Sequence, residues 1–302
     1  MAGDGWEKLL PRVERVLELA EDSLQAREPA PETTPSGDAM AYRWNAGRLG
    51  RLGWNAGRLA PIAHPDVYPL DGLIGVERSV ARLRANAEAF TRGAPALDAL
   101  LYGERGTGKS SAVRGLLGEF GPRGLRLVEV RRDDLLALPE IFAELRERPG
   151  RFALFCDDLS FEEGDASFKQ LKALLDGGLE ARPENVIVLA TSNRRHLLPE
   201  RMAENLAAHL DAAGQLHPGE TADEKISLSD RFGLLLPFLA FDQATYLRIV
   251  DYHADRLGLA ERLPGQELHA AALRFALNRG TRSGRSALQA CIELLQGVKE
   301  PR

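Results

Sequence analysis

The sequence predicts an α/β fold, a parallel five-stranded sheet sandwiched by helices and followed by a small all-α lid. Three observations carry this reading. Short apolar runs alternate with helix-period segments between residues 97 and 241. The first of those runs ends in a glycine-rich turn that opens a helix. Beyond residue 242 only helix-period segments remain.

At the N-terminus, Leu9, Leu10, Val13, Val16, Leu17 and Leu24 fall at helical spacing within residues 6–27. Glu28–Asp38, with three prolines and few apolar residues, reads as a linker. Trp44-Asn-Ala-Gly-Arg-Leu49 recurs as Trp54-Asn-Ala-Gly-Arg-Leu59. Two copies are too few for a solenoid. They are expected to be a surface duplication, with an Arg/Trp docking patch as the sharper alternative.

Leu97–Tyr102 is the first expected strand and residues 109–120 the helix after it. Leu125–Val130 and a helix at 139–148 follow, then Phe152–Cys156 and a helix at 166–176. Asn185–Ala190 is the fourth strand and Leu234–Phe241 the fifth. Pro237 places the fifth at an edge or strand end, because proline has no N–H for a ladder. Strands this apolar need cover on both faces. Residues 243–257, 266–278 and 285–297 supply the helices of the lid. The expected divisions are therefore 1–62, 63–241 and 242–302. Segment 201–227, which contains His209 and His217, reads as an insertion rather than a metal site.

The composition, 44% hydrophobic and 27% charged, suffices for a sizeable core. A net charge of -5 weighs against one broad nucleic-acid-binding surface. Cys156 and Cys291 sit in apolar patterns and are expected to pack as small hydrophobes, which fits a reducing compartment. No apolar stretch approaches the ~20 residues that span a bilayer, and Met1–Lys8 lacks a signal-peptide pattern. A cytoplasmic protein without a membrane partner is expected.

Gly103-Glu-Arg-Gly-Thr-Gly108-Lys109-Ser110 matches the phosphate-cradle pattern G-x-x-x-x-G-K-[ST] and lies between a strand and a helix. Its glycines allow backbone N–H groups to approach a triphosphate, and the helix N-terminus behind them favours an anion. The residues expected to bind ATP are Gly103, Glu104, Arg105, Gly106, Thr107, Gly108, Lys109, Ser110 and Ser111. Lys109 should reach the β and γ phosphates, and Ser110 should hold Mg²⁺ together with Asp157 at the end of the third strand. Asp158 is then a candidate to polarise the attacking water, although it is one methylene shorter than glutamate. Glu162 and Glu163 lie nearby and could substitute, but a solvated loop is the favoured reading of both. Asn193, after the fourth strand, can orient that water. Arg231, in Ser229-Asp-Arg-Phe-Gly233, can act on a neighbouring subunit's ATP. Arg285, with Arg282 as alternative, can reach back from the lid. Asp71–Gly75, through Ile74, looks like an adenine wrap.

In this order, the elements resemble those of the AAA+ ATPases from about residue 70 to residue 297. The resemblance makes Gly103–Ser110 the Walker A motif and Leu154–Asp158 the Walker B. Asn193 becomes sensor 1, Arg231 the arginine finger and Arg285 sensor 2. The Arg-Phe-Gly run resembles that of Holliday-junction branch-migration motors. Phe155–Phe161, Ala190–Pro199 and Glu224–Gly233 are similar to signature segments of the bacterial family called domain of unknown function 815. The resemblance implies the fold and ATP binding, and supplies no substrate. The expected activity is Mg²⁺-dependent ATP hydrolysis by a homo-oligomer that remodels or loads a protein partner. An ATP-gated switch with weak hydrolysis is the alternative, motivated by Asp158. A nucleic-acid motor, suggested by Arg131-Arg132 and Arg194-Arg195-His196, is less favoured. Val130–Leu136 has no aromatic residue where threading unfoldases carry one.

Overall fold

A computed structural model describes residues 39–45, 49–50, 53–54, 57–161, 165–176, 181–193, 209–210, 216–217 and 229–297. The expected helix and linker over 6–38, Glu162, Glu163 and Arg194–His196 lie outside the described residues. So does segment 201–227, apart from a two-stranded ladder pairing 209–210 with 216–217.

Seven strands form the main sheet: β1 (Ala41–Asn45), β2 (Arg58–Pro61), β3 (Ala99–Gly103), β4 (Leu125–Glu129), β5 (Arg151–Cys156), β6 (Val186–Ser192) and β7 (Leu234–Phe238). Their spatial order is β7-β3-β6-β5-β4-β1-β2. All neighbours are parallel except β1 and β2, which form an antiparallel edge. The helices are α1 (Glu77–Thr91), α2 (Lys109–Phe120), α3 (Leu138–Arg146), α4 (Ala166–Asp176), α5 (Gln243–Arg256), α6 (Gly265–Arg279) and α7 (Gly284–Gly297).

The central strands form because their side chains are apolar on both faces. All seven residues of β6 are buried. Alternate residues serve two cores. Leu127, Phe155 and Leu189 pack with α1 and α2, and that core continues into the lid through Tyr246, Val250 and Ala287. Val128, Leu154 and Val188 face α3 and α4. Burying side chains of this size stabilises by about 1.5–3 kcal/mol each before entropy is counted. Pro237 lies on the edge strand β7, as its missing N–H requires. In the lid, the Asp242 side chain caps α5 by accepting from the Thr245 N–H at 2.8 Å.

The sheet has seven strands rather than the expected five, and the two additions are β1 and β2. The tandem repeat forms this hairpin. Trp44 of the first copy pairs with Leu59 of the second, and Leu49 pairs with Trp54 in a separate short ladder. A duplicated segment folding back on itself thus sets each tryptophan opposite the other copy's leucine. Trp44 is 2% exposed and Leu59 4%, so the surface reading of these two residues is corrected. The buried indole has no hydrogen-bond partner for its Nε1–H among the described residues, a penalty of about 1–3 kcal/mol. The sheet therefore begins well before the boundary expected at residue 62.

Cys156 and Cys291 are both free and buried. Burial pushes their thiols up, to about 12 and about 11 respectively. No helix among the described residues is long and apolar enough to cross a membrane.

Candidate nucleotide site

The carboxyl ends of β3, β5 and β6 lie side by side, because β6 is inserted between β3 and β5. β3 ends at Gly103, whose φ of +133° only glycine adopts readily. A Cβ there would stand 2.1 Å from the carbonyl oxygen of Phe238. The chain then loops to Gly108, in the left-handed region, and enters α2 at Lys109. The first-turn N–H groups of this helix have no intrahelical partner and face the loop. Gly106 touches the lid. Its carbonyl accepts from the Gly284 N–H at 2.9 Å, and a Cβ on it would meet the Ser283 side chain at 2.9 Å.

Lys109 is only 7% exposed. Its ammonium donates to the carbonyls of Gly103 (2.8 Å) and Glu104 (2.7 Å) and to Asn193 Oδ1 (3.0 Å). Burial lowers its pKa, with the nearby charge of Asp158 opposing the shift. The Asn193 amide bridges outward by donating its Nδ2–H to Asp158. Ser110 Oγ donates to Asp157 Oδ1 at 2.6 Å, and Thr191 Oγ1 donates to the same oxygen at 2.6 Å. Thr191 Oγ1 also accepts the Asp158 N–H at 2.8 Å. One hydroxyl therefore joins both aspartates to β6. Asp158 has φ +52°, which turns its side chain away from simple strand alternation.

These groups line a cavity of about 720 Å³. Of the residues expected in the site, Ile74, Arg105, Gly106, Thr107, Gly108, Lys109, Ser110, Ser111, Asp157, Asp158, Asn193 and Arg285 line it. Arg285 takes this place rather than Arg282, because α7 begins at Gly284 and sets residue 285 in its first turn. Gly103 and Glu104 sit behind the cavity and contribute the carbonyls that hold Lys109. Arg231 is elsewhere, ion-paired with Asp176 at the end of α4. It precedes β7, at the end of the sheet away from the phosphate loop of its own chain.

Sequence reasoning missed Thr191, Glu129 and most of the apolar end of the cavity. Tyr68 and Leu73 close that end from below, and Phe241, Ile249, His253 and Leu288 close it from the lid side. Burial pushes the Tyr68 phenol up to about 12. Burial also lowers the His253 pKa, and Arg256 adds to the shift. An apolar lining of this kind suits a nucleotide base. A Thr-Ser-Asn run at a strand end was the available signal for Thr191. Nothing local in sequence signalled Glu129.

The residues fit ATP and Mg²⁺ on chemical grounds. Ser110 and Asp157 offer hard oxygen donors, the kind Mg²⁺ takes beside phosphate oxygens. No group of three or more His, Cys, Asp and Glu that could hold a metal occurs among the described residues. A Mg²⁺ ion shared with substrate phosphates needs no such cage.

A parallel sheet ordered β7-β3-β6-β5-β4, a phosphate loop between β3 and α2, and a three-helix lid define an AAA+ P-loop fold. Residues 38–298 match the family described as "Protein of unknown function (DUF815)", and the chain belongs to that family. Among solved structures, the Thermotoga maritima RuvB Holliday junction branch migration motor is 18% identical. The match covers 77% of this chain and 74% of that one, with a TM-score of 0.42. A single-residue variant of the same motor gives 18% identity, the same coverages and a TM-score of 0.43. No protein of curated function matches the chain.

Proposed function

We propose that the protein binds ATP with Mg²⁺ and hydrolyses it, working as a homo-oligomer that remodels or loads a protein partner. The observation that carries this is the convergence of Lys109, Ser110, Asp157, Asp158 and Asn193 on one cavity at the carboxyl end of the sheet. In this reading the loop amides and Lys109 hold the phosphates. Ser110 and Asp157 hold Mg²⁺, which when bound neutralises developing charge on the phosphate oxygens. Asn193 fixes the attacking water, and Ile74 with Leu73 contacts the adenine. Arg285 couples the phosphates to the lid.

Arg231 is assigned to the neighbouring subunit's site. Its position supports this, because it precedes β7 at the end of the sheet opposite its own phosphate loop. Mixing Lys109→Ala and Arg231→Ala subunits tests the assignment. Each variant alone should be inactive, and the mixture should recover part of the turnover. A mixture with no recovery removes the trans arginine. The central test is binding: Lys109→Ala should weaken ATP affinity at least tenfold and abolish turnover. Wild-type ATP binding in that variant would end the proposal.

An ATP-gated switch with slow turnover is the second reading. It is favoured by the short Asp158 side chain, already engaged by Asn193. Rapid Mg²⁺-dependent hydrolysis by the purified protein would reject it. The nucleic-acid motor has weaker support, since Arg132 pairs with Asp165 and lies over the Phe161 ring.

A further inference from the structure

Three carboxylates line the cavity: Asp157, Asp158 and Glu129. Asp157 and Asp158 are tied to groups of the phosphate site itself, and Glu129 is tied to the edge hairpin. Asp157 accepts from Ser110 and Thr191 on the same oxygen. Asp158 accepts from Asn193, is the shorter acid, and sits in a left-handed turn. Glu129 ends β4, on the opposite side of Asp157 from the phosphate-loop strand.

Register places it on the face of the sheet that carries the site. Glu129 lies opposite Phe155, two residues before Asp157, and Phe155 lies opposite Leu189, two residues before Thr191. Leu127, Phe155 and Leu189 all pack on the α2 face. Side chains alternate along strands, so Glu129 belongs to the face that carries the helix leading from the phosphate loop. Its longer side chain gives it one more methylene of reach than Asp158.

Glu129 is also held. Arg43 lies opposite it on β1, and Arg43 Nε donates to Glu129 Oε2 at 2.5 Å. The two side chains are 42% and 36% exposed. An ion pair this exposed contributes about 0–1 kcal/mol of stability. Stability alone is a weak reason for a carboxylate at the wall of this cavity. The hairpin that completes the sheet would then complete the site as well.

We propose that Glu129 is the carboxylate that takes the water proton during hydrolysis, with Arg43 as its positioning residue. The proposal rests on the ATPase reading above. As the water oxygen bonds to the γ-phosphorus, its proton passes to Glu129. The bond from that phosphorus to the β–γ bridging oxygen breaks, and ADP leaves with the electron pair. Glu129 then returns the proton to solvent.

The test uses the full chain and three readouts: ATP affinity, turnover, and calorimetric binding of ADP with aluminium fluoride, which mimics the in-line attack. Glu129→Gln should keep ATP affinity within about threefold, lose about 10²–10⁴ in turnover, and lose the aluminium fluoride complex. Arg43→Ala should lose about tenfold in turnover, and Arg43→Lys should recover part of it. If the pair only ties β1 to β4, Glu129→Gln and Arg43→Ala will lose equal melting temperature and equal activity. That result overturns the proposal even where one variant folds poorly. Turnover within threefold of wild type in Glu129→Gln overturns it directly. A wild-type protein that binds ATP without turnover removes the base and leaves the nucleotide site standing. No ATP binding at all removes both.

Discussion

The sheet has a cavity at each end, and the two differ in what their polar groups do. The one at the amino end has a volume of about 790 Å³, against about 720 Å³ at the carboxyl end, and Arg123, Arg146, Arg148, Arg151 and Arg182 line it. Most of these guanidiniums act as structural ties. Arg182 makes a two-pronged pair with Asp98 and also donates to the Val186 carbonyl. Arg148 pairs with Glu144. Arg146 and Arg151 donate to the carbonyls of Ala181 and Glu184. Helices α1 and α3 end near this cavity, which Thr91 and Arg146 also line, and cations are favourable at helix carboxyl ends. At the carboxyl end the polarity is reversed. A helix N-terminus and loop amides face a row of carboxylates, and one lysine and one asparagine bridge them. Volume therefore does not distinguish a site here. The distinction lies in which groups point into the cavity from rigid strand ends and which hold loops shut.

The largest expected effect that breaks this comparison is at the phosphate loop. Gly103→Ala places a Cβ against the Phe238 carbonyl at a φ of +133°. It should cost several kcal/mol, about 3–5, and remove ATP binding, as read by urea denaturation and calorimetry. Arg182→Ala comes next. Asp98 is 11% exposed and also accepts the Val188 N–H at 2.6 Å. Removing its cationic partner should cost about 3 kcal/mol while ATP affinity, measured below the melting transition, stays unchanged. A fall in affinity there would show that the amino end serves the chemistry too. Thr191→Val is smaller. Its hydroxyl joins Asp157 to the Asp158 backbone, so its loss should cost about 1–3 kcal/mol and raise the Mg²⁺ concentration needed for turnover.

The same contrast explains what was legible in the sequence. β3, β4, β5 and β6 are buried on both faces, so their apolar runs stand out, and α2 and α4 start and stop where their periodicity does. β1 and β2 were hidden because the Trp-Asn-Ala-Gly-Arg-Leu repeat has no strand alternation and reads as a surface duplication. Each strand's partner also lies more than a dozen residues away. The phosphate loop was legible because its chemistry is contiguous in the chain. Thr191 and Glu129 acquire meaning only through strand register, which aligns residues 34 apart for Asp157 and Thr191. The sequence favours Arg285 over Arg282, and α7, beginning at Gly284, sets Arg285 in the cavity wall.

The smallest expected effect sharpens the comparison within the carboxyl-end cavity itself. His253 lies at its apolar end, 7% exposed, and burial holds its imidazole below the usual pKa of 6.5. The folded state therefore prefers the neutral ring. Above the unfolded value this group makes no pH-dependent demand on folding. As pH falls through 6.5, the unfolded chain takes up a proton that the folded chain resists, and stability declines. His253→Gln removes that group, so the slope of melting temperature against pH between about 6.5 and 5 should become shallower than in wild type. The Asp98–Arg182 pair at the other end of the sheet remains in both proteins and serves as the internal reference. Identical slopes would mean that water reaches the imidazole freely at the apolar end of the cavity.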